Sequence, residues 1–389
     1  MHHGIKKLLL LGAGPAHLQV LARLAQNRPA DLDVTVLTPY PHHTLSGMAP
    51  GLVAGRYSAE DCQIPLEPLV KAAGARWVQG RCGGLDAARQ TVAVSPTSKG
   101  QTPSELPYHL LSIDTGAVFD RTRLEADMPG ASTHALMVRP VEVFATLWPQ
   151  VMERAVNRPL SIAVVGAGAA GLELLFAAEQ CLRLHGAAGA RFTLITGGTE
   201  PAADHPRGVQ RRVLRHLKSL GITVLRDTCV GMDHGVVRLG GGAELACDLP
   251  LLAIGTHAPA WLPGSGLALC EAGHVLVNEH QQSTSHPNVF AAGDVATRAD
   301  APHPRSGVHA VRAGPTLATN LLAAHEGSAL APHHPPKHTL SLLSCGAGHA
   351  IASWGPLHAE GAWAWAWKDR IDRAFVAAHT RPATPAAAR

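Results

Sequence analysis

The feature that most constrains this chain is a pair of strand–glycine turn–helix units. In the first unit, the apolar run Ile5–Leu11 breaks at Gly12, and apolar residues then recur at helical spacing. The second unit repeats the pattern, because Ser161–Val165 breaks at Gly166 and a helix is predicted through about Leu184. The two turns lie 154 residues apart, which is the spacing of domains rather than of short repeats. The chain is therefore predicted to contain two α/β units with buried parallel strands.

Composition supports large cores and excludes several classes of protein. Of the 389 residues, 46% are hydrophobic and 16% are charged, which argues against extensive disorder. The net charge of +4 is small and the basic residues are scattered, so no nucleic-acid footprint is predicted. The seven cysteines form no CxxC pair, and we expect reduced thiols in a cytoplasmic compartment. Neither a signal peptide nor a bilayer-spanning run of ~20 apolar residues is predicted.

The first glycine turn, Gly12–His17, has the main features of a dinucleotide site. In such a site Gly12 permits the tight turn and Gly14 lets the backbone approach a pyrophosphate, which meets the amides and dipole of the helix N-terminus. Two departures weaken the pattern: His17 replaces the third glycine, and the next strand ends in Thr38 where an acidic ribose ligand is usual. The turn alone leaves nucleotide binding and an ordinary strand-to-helix connection equally open.

The second glycine turn, Gly166–Gly171, keeps all three glycines and follows an apolar strand, so it predicts a nucleotide site. Its next strand ends in Thr196, again without a carboxylate, and the choice between NADH and NADPH stays open. Four arginines on a later helix could meet a 2′-phosphate, although a solvated basic face is the favoured interpretation: Arg207, Arg211, Arg212 and Arg215.

A third signal is the segment that runs into Gly293-Asp294. A carboxylate at the end of such a strand can accept hydrogen bonds from the ribityl hydroxyls of a flavin, whereas by itself the pattern would indicate only an Asx turn. Three signals in this order are far more specific than any one of them.

The order resembles that of the flavoproteins with two dinucleotide-binding domains, the pyridine nucleotide-disulfide oxidoreductase family that includes type II NADH dehydrogenases. Leu111–Gly116 and Ala253–Thr256 resemble the strands that leave its two domains. Three further motifs resemble the flavoprotein found beside, or fused to, selenophosphate synthetase: Thr44–Gly55, Val138–Pro140 and Trp367–Arg373. This second likeness extends over about residues 5–376.

The resemblance implies an α/β fold of two Rossmann-like domains, with the NAD(P)-binding domain inserted in the FAD-binding domain, plus a small C-terminal region. The implied boundaries are 1–120 and 257–330 for the FAD domain, 121–158 for a connecting segment, 159–256 for the NAD(P)H domain and 331–389 for a C-terminal tail.

FAD and NAD(P)H are the implied cofactors. The residues implied to line FAD are Gly12, Gly14, Pro15, Ala16, Thr38, Cys82, Gly116, Gly293 and Asp294. Gly166, Gly168 and Gly171 would hold the phosphates of NAD(P)H. Glu173 would lie near the nicotinamide and is the one candidate for a catalytic residue.

The predicted function is that of an FAD-dependent NAD(P)H oxidoreductase passing electrons to a quinone or another small acceptor. The segment Pro41–Gly47 holds no cysteine, which argues against a disulfide substrate. A sulfur- or selenium-directed flavoenzyme is an alternative if Cys345 is essential, and a redox sensor that binds NADH is another. No metal site is predicted, because the histidine pairs lack acidic or cysteine companions: His2-His3, His42-His43 and His333-His334.

The C-terminal tail carries three tryptophans, Trp363, Trp365 and Trp367, that alternate with alanine and so predict an extended segment. A helix is predicted beyond it, with one apolar face formed by Trp367, Ile371, Ala374, Phe375 and Ala378. The tail either packs over the flavin domain, which is favoured, or lies on a membrane surface. The second interpretation would place a cytoplasmic protein at the inner face of the membrane.

Overall fold

A computed structural model describes residues 4–95, 104–187 and 189–380. The pair His2-His3 and residues 381–389 of the C-terminal tail lie outside these ranges. Within them the strands are β1 (Lys6–Leu11), β2 (Leu32–Thr38), β3 (His42–Thr44), β4 (Gln63–Pro65), β5 (Arg76–Gln79), β6 (Arg81–Asp86), β7 (Thr91–Ser95), β8 (Ser104–Pro107), β9 (Leu110–Ile113), β10 (Leu136–Met137), β11 (Ser161–Val165), β12 (Arg191–Ile195), β13 (Thr223–Leu225), β14 (Cys229–Asp233), β15 (Val236–Leu239), β16 (Glu244–Ala246), β17 (Leu249–Leu252), β18 (Val275–Val277), β19 (Val289–Ala291), β20 (Ala296–Arg298), β21 (Leu340–Ser344), β22 (Ala350–Trp354) and β23 (Leu357–Gly361).

The helices of the same residues are α1 (Pro15–Gln26), α2 (Ala49–Val53), α3 (Leu66–Ala72), α4 (Arg121–Asp127), α5 (Ala131–His134), α6 (Val141–Asn157), α7 (Ala169–Leu184), α8 (Arg207–Ser219), α9 (Gly307–Glu326) and α10 (Ala362–Thr380). Short 3-10 turns span Ser46–Met48, Glu60–Cys62 and Gly293–Val295.

The first sheet is parallel and has the strand order β19-β9-β1-β2-β5. Its central strand is buried on both faces, as a continuous apolar run predicts. Leu8 and Leu10 lie in a core with α1 and α9, whereas Leu9 and Leu11 lie in the opposite core with β7. In this sheet β19 lies beside β9, although β19 follows β9 by more than 170 residues in the sequence.

The second sheet has the order β10-β17-β11-β12-β13 and is also parallel. Ile162 and Val164 pack in a core with α6, α7 and α8, and Ala163 and Val165 pack against β14 and β15. All of its strands fall between β9 and β19 in sequence. The predicted fold class, one Rossmann-like domain inserted in another, is confirmed.

The prediction of an extended tryptophan segment is wrong, because α10 begins at Ala362 and includes Trp363, Trp365 and Trp367. The alternation with alanine matched a strand period, but alanine is the strongest helix former, and Ala364 is fully buried at 0% exposure. α10 follows the antiparallel sheet β21-β22-β23.

The predicted apolar face of this helix is also wrong. Trp367 and Ile371 of that face are each 44% exposed. Phe375, which belongs to the same face, does pack against the cores of the first domain. The buried face instead carries Lys368 and Asp372, whose charges pair with each other at 2.8 Å. No helix among the described residues is long and apolar enough to cross a bilayer.

Candidate functional site: two glycine turns and a buried ionic network

The first glycine turn follows β1 at the carboxyl edge of the first sheet. Gly12 adopts φ +91°, a conformation that side chains disfavour, and its amide donates to the Leu37 carbonyl at 2.9 Å. His17, in the place of the third glycine, is buried, and its two ring nitrogens lie 2.7 Å from the Gly12 carbonyl oxygen and 2.8 Å from Ser112 Oγ. Burial lowers the pKa of His17 to about 4, so the ring is neutral at physiological pH.

Asp114, which the sequence reasoning did not select as a site residue, lies beneath this turn. Its Oδ2 accepts hydrogen bonds from the backbone amides of Ala16 and His17, each at 2.9 Å. A Cβ on Gly14 would lie 2.5 Å from Asp114 Oδ1, and one on Gly293 would lie 2.7 Å from it. Burial raises the pKa of Asp114 to about 7, although the two amides oppose the shift. The signal in the sequence was a carboxylate directly after a buried strand.

The second glycine turn has a similar backbone but different surroundings. Gly166 adopts φ +114°, and its amide donates to the Ile195 carbonyl at 2.9 Å. A Cβ on Gly168 would meet no atom within 4 Å, so the space over the turn is open. A Cβ on Gly171 would overlap the Gly166 carbonyl oxygen, which explains the third glycine. Within the described residues, no side chain caps the N-terminus of α7.

The two predicted ribose positions are both buried threonines, with Thr38 5% and Thr196 4% exposed. The Thr38 carbonyl accepts from the Gly80 amide at 3.3 Å, which brings the segment that carries Cys82 to the end of β2. Thr196 Oγ1 is buried and has no hydrogen-bond partner among the described residues. Neither position carries a carboxylate.

Asp294 lies in the 3-10 turn after β19, at the same edge of the first sheet as Gly12 and Gly14. Its Oδ2 is 3.7 Å from Arg139 Nη1, and its side chain is 17% exposed. Arg139 was not predicted as a site residue, although it lies in the motif Val138–Pro140 that resembles the flavoprotein associated with selenophosphate synthetase. Gly116, after β9, has open space around it. The carboxylate of Asp294 suits the ribityl hydroxyls of a flavin dinucleotide. Gly12 and Gly14, at the same edge, suit its pyrophosphate.

Glu173, in α7, belongs to a buried ionic network that joins three parts of the chain. Its Oε1 accepts from the Ser344 amide at 2.8 Å, and burial raises its pKa despite the opposing charge of Lys368. Lys368 Nζ, on α10, donates to the Gly47 carbonyl at 2.6 Å and to Asp372 at 2.8 Å. Burial alone would lower the pKa of Lys368, but the carboxylates of Glu173 and Asp372 raise it. Lys368 and Asp372 were missed because they lie almost 200 residues from Glu173.

Cys345, the residue of the sulfur alternative, is 6% exposed, and its thiol contacts the Leu343 carbonyl at 3.6 Å. Burial raises the pKa of this thiol, with Glu173 adding to the shift. A thiolate is the reactive form of cysteine, so this environment opposes nucleophilic or redox chemistry.

A cluster that could hold a metal brings together ligand atoms of His216, His349 and Glu360 within 4.8 Å of one another. Arg212 pairs with Glu360 at 3.0 Å, and Arg215 pairs with the same carboxylate oxygen. Two guanidinium groups already balance the carboxylate, so the arrangement is that of an ion-pair network between α8 and β23. These contacts also commit two of the four α8 arginines to pairing within the chain.

Comparisons with known proteins give the family and the fold of the chain. Residues 6–314 match the family described as pyridine nucleotide-disulphide oxidoreductase. Ferroptosis suppressor protein 1 of Taeniopygia guttata is 25% identical over 283 residues, which is 70% of each protein. The type II NADH:quinone oxidoreductase NdhA of Mycobacterium tuberculosis is 25% identical over 402 residues, covering 94% of this chain and 82% of NdhA. The solved structure of NDH2 from Plasmodium falciparum with NADH superposes with a TM-score of 0.80 at 14% identity and covers 97% of each chain.

Proposed function

The chain belongs to the pyridine nucleotide-disulphide oxidoreductase family, and from this premise we propose that it carries electrons from NAD(P)H through FAD to a quinone. It is an FAD-dependent NAD(P)H oxidoreductase. The observation that supports the proposal most strongly is the pair of glycine turns, each at the carboxyl edge of its own parallel sheet. A quinone as the acceptor is supported by the similarity to a relative named as a type II NADH:quinone oxidoreductase.

The proposal assigns one cofactor to each turn. FAD would be held by residues 1–120 and 257–330, through Gly12, Gly14, Pro15, Ala16, Thr38, Cys82, Gly116, Gly293 and Asp294. NAD(P)H would be held by residues 159–256, through Gly166, Gly168 and Gly171. Residues 121–158 would connect the domains, and the C-terminal tail would cover the site.

Hydride transfer between the two bound cofactors is chemistry that the cofactors supply themselves. The two glycine turns would hold and orient the cofactors, because their glycines let the backbone approach a pyrophosphate. Reduction of a quinone also consumes protons, and Glu173 can hold one on Oε2 because Oε1 is engaged by the Ser344 amide. The Ser344 amide fixes the position of this carboxyl group, and the charge of Lys368 acts on it without a direct hydrogen bond.

The decisive experiment is an acceptor screen with flavin that NADH or NADPH has reduced anaerobically. We expect benzoquinones or naphthoquinones to reoxidise the flavin faster than ferredoxin, sulfide-derived or selenium compounds do. A protein that no quinone reoxidises would contradict the proposed acceptor. Slow reduction by both nicotinamides would instead support the redox-sensor alternative.

Glu173→Gln tests the proposed proton donor. Reduction of the flavin by NAD(P)H should persist, while quinone turnover should fall by ~100-fold, the lower range for loss of a general acid. Because the pKa of Glu173 is raised, wild-type quinone turnover should decline as pH rises through that pKa, and the variant should lack this decline. Glu179→Gln, on the same helix and paired with Arg183, is the matched control.

We further propose that α10 places the protein on the inner face of a membrane. Trp363, Trp367 and Ile371 are 51%, 44% and 44% exposed and follow one another at intervals of four residues along one side of the helix. Trp354 and Leu357, at the turn between β22 and β23, are also exposed.

Trp363→Ser with Ile371→Ser should abolish co-sedimentation with anionic liposomes and leave flavin reduction intact. Phe375 is unsuitable for this test, because it packs in the core. The matched control is Val156→Ser, which removes an apolar side chain that is 58% exposed on α6. Wild-type protein that never co-sediments would contradict the membrane proposal and favour a soluble acceptor.

The likeness to flavoproteins associated with selenophosphate synthetase stays a prediction. It would gain support if Cys345→Ser abolished turnover with a sulfur or selenium acceptor. The buried, hydrogen-bonded thiol argues against that outcome.

A further inference from the structure

The amides that the first glycine turn would offer to a phosphate are already engaged within the chain. Anions bind at helix N-termini through free backbone N–H groups and the positive end of the dipole. In α1 the amides of Ala16 and His17 both donate to one oxygen of Asp114, at 2.9 Å. The carboxylate is 2% exposed, so it cannot be displaced into solvent without opening the core. The sequence therefore supplies a built-in anion at the place where a pyrophosphate would bind.

Asp114 also lies between the two glycine motifs assigned to FAD. Hypothetical Cβ atoms on Gly14 and Gly293 would come within 2.5 Å and 2.7 Å of its Oδ1. Its backbone takes part as well, because the Asp114 carbonyl accepts from the Gly14 amide at 3.1 Å. A negatively charged ligand at this turn would face a second negative charge across a few ångströms of low-dielectric interior.

We propose that FAD binding is coupled to protonation of Asp114, so that the flavin binds with uptake of one proton and is released more readily as pH rises. The inference rests on the proposed assignment of FAD to the first turn. An ionised Asp114 competes with the pyrophosphate for the amides of Ala16 and His17 and repels it. A neutral Asp114 leaves the amides to the phosphate and can donate a hydrogen bond of its own.

The charges around Asp114 allow it to be the group that titrates. On α1, burial lowers the pKa of His17 to about 4, and at the start of α9 burial lowers that of His309 to about 4, so both rings are neutral near pH 7. On the 3-10 turn, Asp294 is paired with Arg139 at 3.7 Å. Burial is the main reason that the pKa of Asp114 is raised to about 7, and the charge of Asp294 raises it further. Addition of a pyrophosphate would raise that pKa further.

The test measures FAD affinity of the apoprotein by quenching of flavin fluorescence between pH 5.5 and 8.5. Above about pH 7 the wild-type Kd should rise tenfold per pH unit, the slope of a one-proton linkage. Asp114→Asn keeps the shape without the charge, so its Kd should change less than threefold over the range and lie below that of wild type at pH 8.5. Asp120→Asn, which removes an exposed capping carboxylate from α4, should keep the wild-type slope.

A second measurement needs only the wild-type protein. Titration calorimetry of FAD binding at pH 8.5 in buffers of different ionisation enthalpy should show uptake of about one proton, because Asp114 is then almost fully ionised in the apoprotein. FAD binding without proton uptake, or a pH slope that Asp114→Asn retains, would overturn the coupling and leave the flavin assignment intact. Apoprotein that binds no FAD at any pH would overturn both.

Discussion

The two glycine turns share a backbone and differ in almost everything around it. Gly14 and Gly168 begin their helices at φ −70°, ψ 177° and φ −73°, ψ 175°. Beneath the first, a buried carboxylate holds the helix amides, whereas the space at the second is open. The strand–turn–helix geometry thus follows from the local sequence, while the chemistry presented to a ligand depends on residues distant in sequence.

The third position of each turn shows the same principle. Gly171 must lack a side chain because a Cβ there would overlap the Gly166 carbonyl oxygen. In the first turn His17 occupies this position, and its ring bonds the equivalent carbonyl, that of Gly12, at 2.7 Å. The second turn is therefore closed by direct packing of helix on strand, and the first by a buried polar side chain.

The largest expected effect is that of Gly168→Val. Because a Cβ at Gly168 would meet no atom within 4 Å, the variant should fold normally and retain FAD, while valine fills the space that a pyrophosphate needs. Loss of two charged hydrogen bonds corresponds to roughly 3–6 kcal/mol, so NAD(P)H should reduce the flavin at least about a hundredfold more slowly. Stopped-flow bleaching measures this, and dithionite bleaching is the control. Bleaching at the wild-type rate would mean that the second turn does not hold the nicotinamide cofactor.

Alanine at the equivalent position of the first turn should behave differently. A Cβ on Gly14 would press on the buried Asp114 carboxylate, and overpacking of this kind costs about 1–3 kcal/mol. Gly14→Ala should lower both the free energy of unfolding and the flavin content, whereas Gly168→Ala should lower neither. Chemical denaturation and the absorbance of bound flavin measure the two effects. Equal stabilities of the two alanine variants would show that Asp114 relaxes freely and that the contrast between the turns is small.

The sequence predicted those parts of the molecule whose cause is local. Gly12 and Gly166 could be found because a positive φ after a buried strand requires glycine. The inserted domain was implied by the family resemblance that the order of the motifs carries. The role of Asp114 could not be found in this way, because its partners Ala16 and His17 lie almost 100 residues earlier. The tail differs from its prediction because the helix propensity of alanine outweighs the strand-like alternation of Trp363, Trp365 and Trp367.

Asp294→Ala should affect the two cofactors differently, because a carboxylate of this kind is assigned to the FAD site and not to the NAD(P)H site. Loss of a charged acceptor costs about 1.5–3 kcal/mol, or about one to two decades in FAD affinity. The affinity of the variant for NAD(P)H should not change. Flavin fluorescence and nicotinamide titration measure the two values. A loss of nicotinamide affinity equal to that of FAD would mean that the two sites are not separable.

The smallest expected effect concerns the threonines that end the second strand of each unit. A carboxylate there binds the 2′-hydroxyl of NADH and repels the 2′-phosphate of NADPH. Thr196 is buried with an unpartnered hydroxyl among the described residues, so Thr196→Asp introduces the missing carboxylate where a ribose would lie. The ratio of kcat/KM for NADH to that for NADPH should rise about five- to tenfold, which corresponds to about 1–1.4 kcal/mol.

Thr196→Asn, with the same shape and no charge, should leave the ratio near that of wild type, and thermal denaturation checks that both variants fold. Thr38→Asp applies the same change at the first turn and should leave the ratio unchanged. If Thr38→Asp shifts the preference and Thr196→Asp does not, the cofactors occupy the opposite turns.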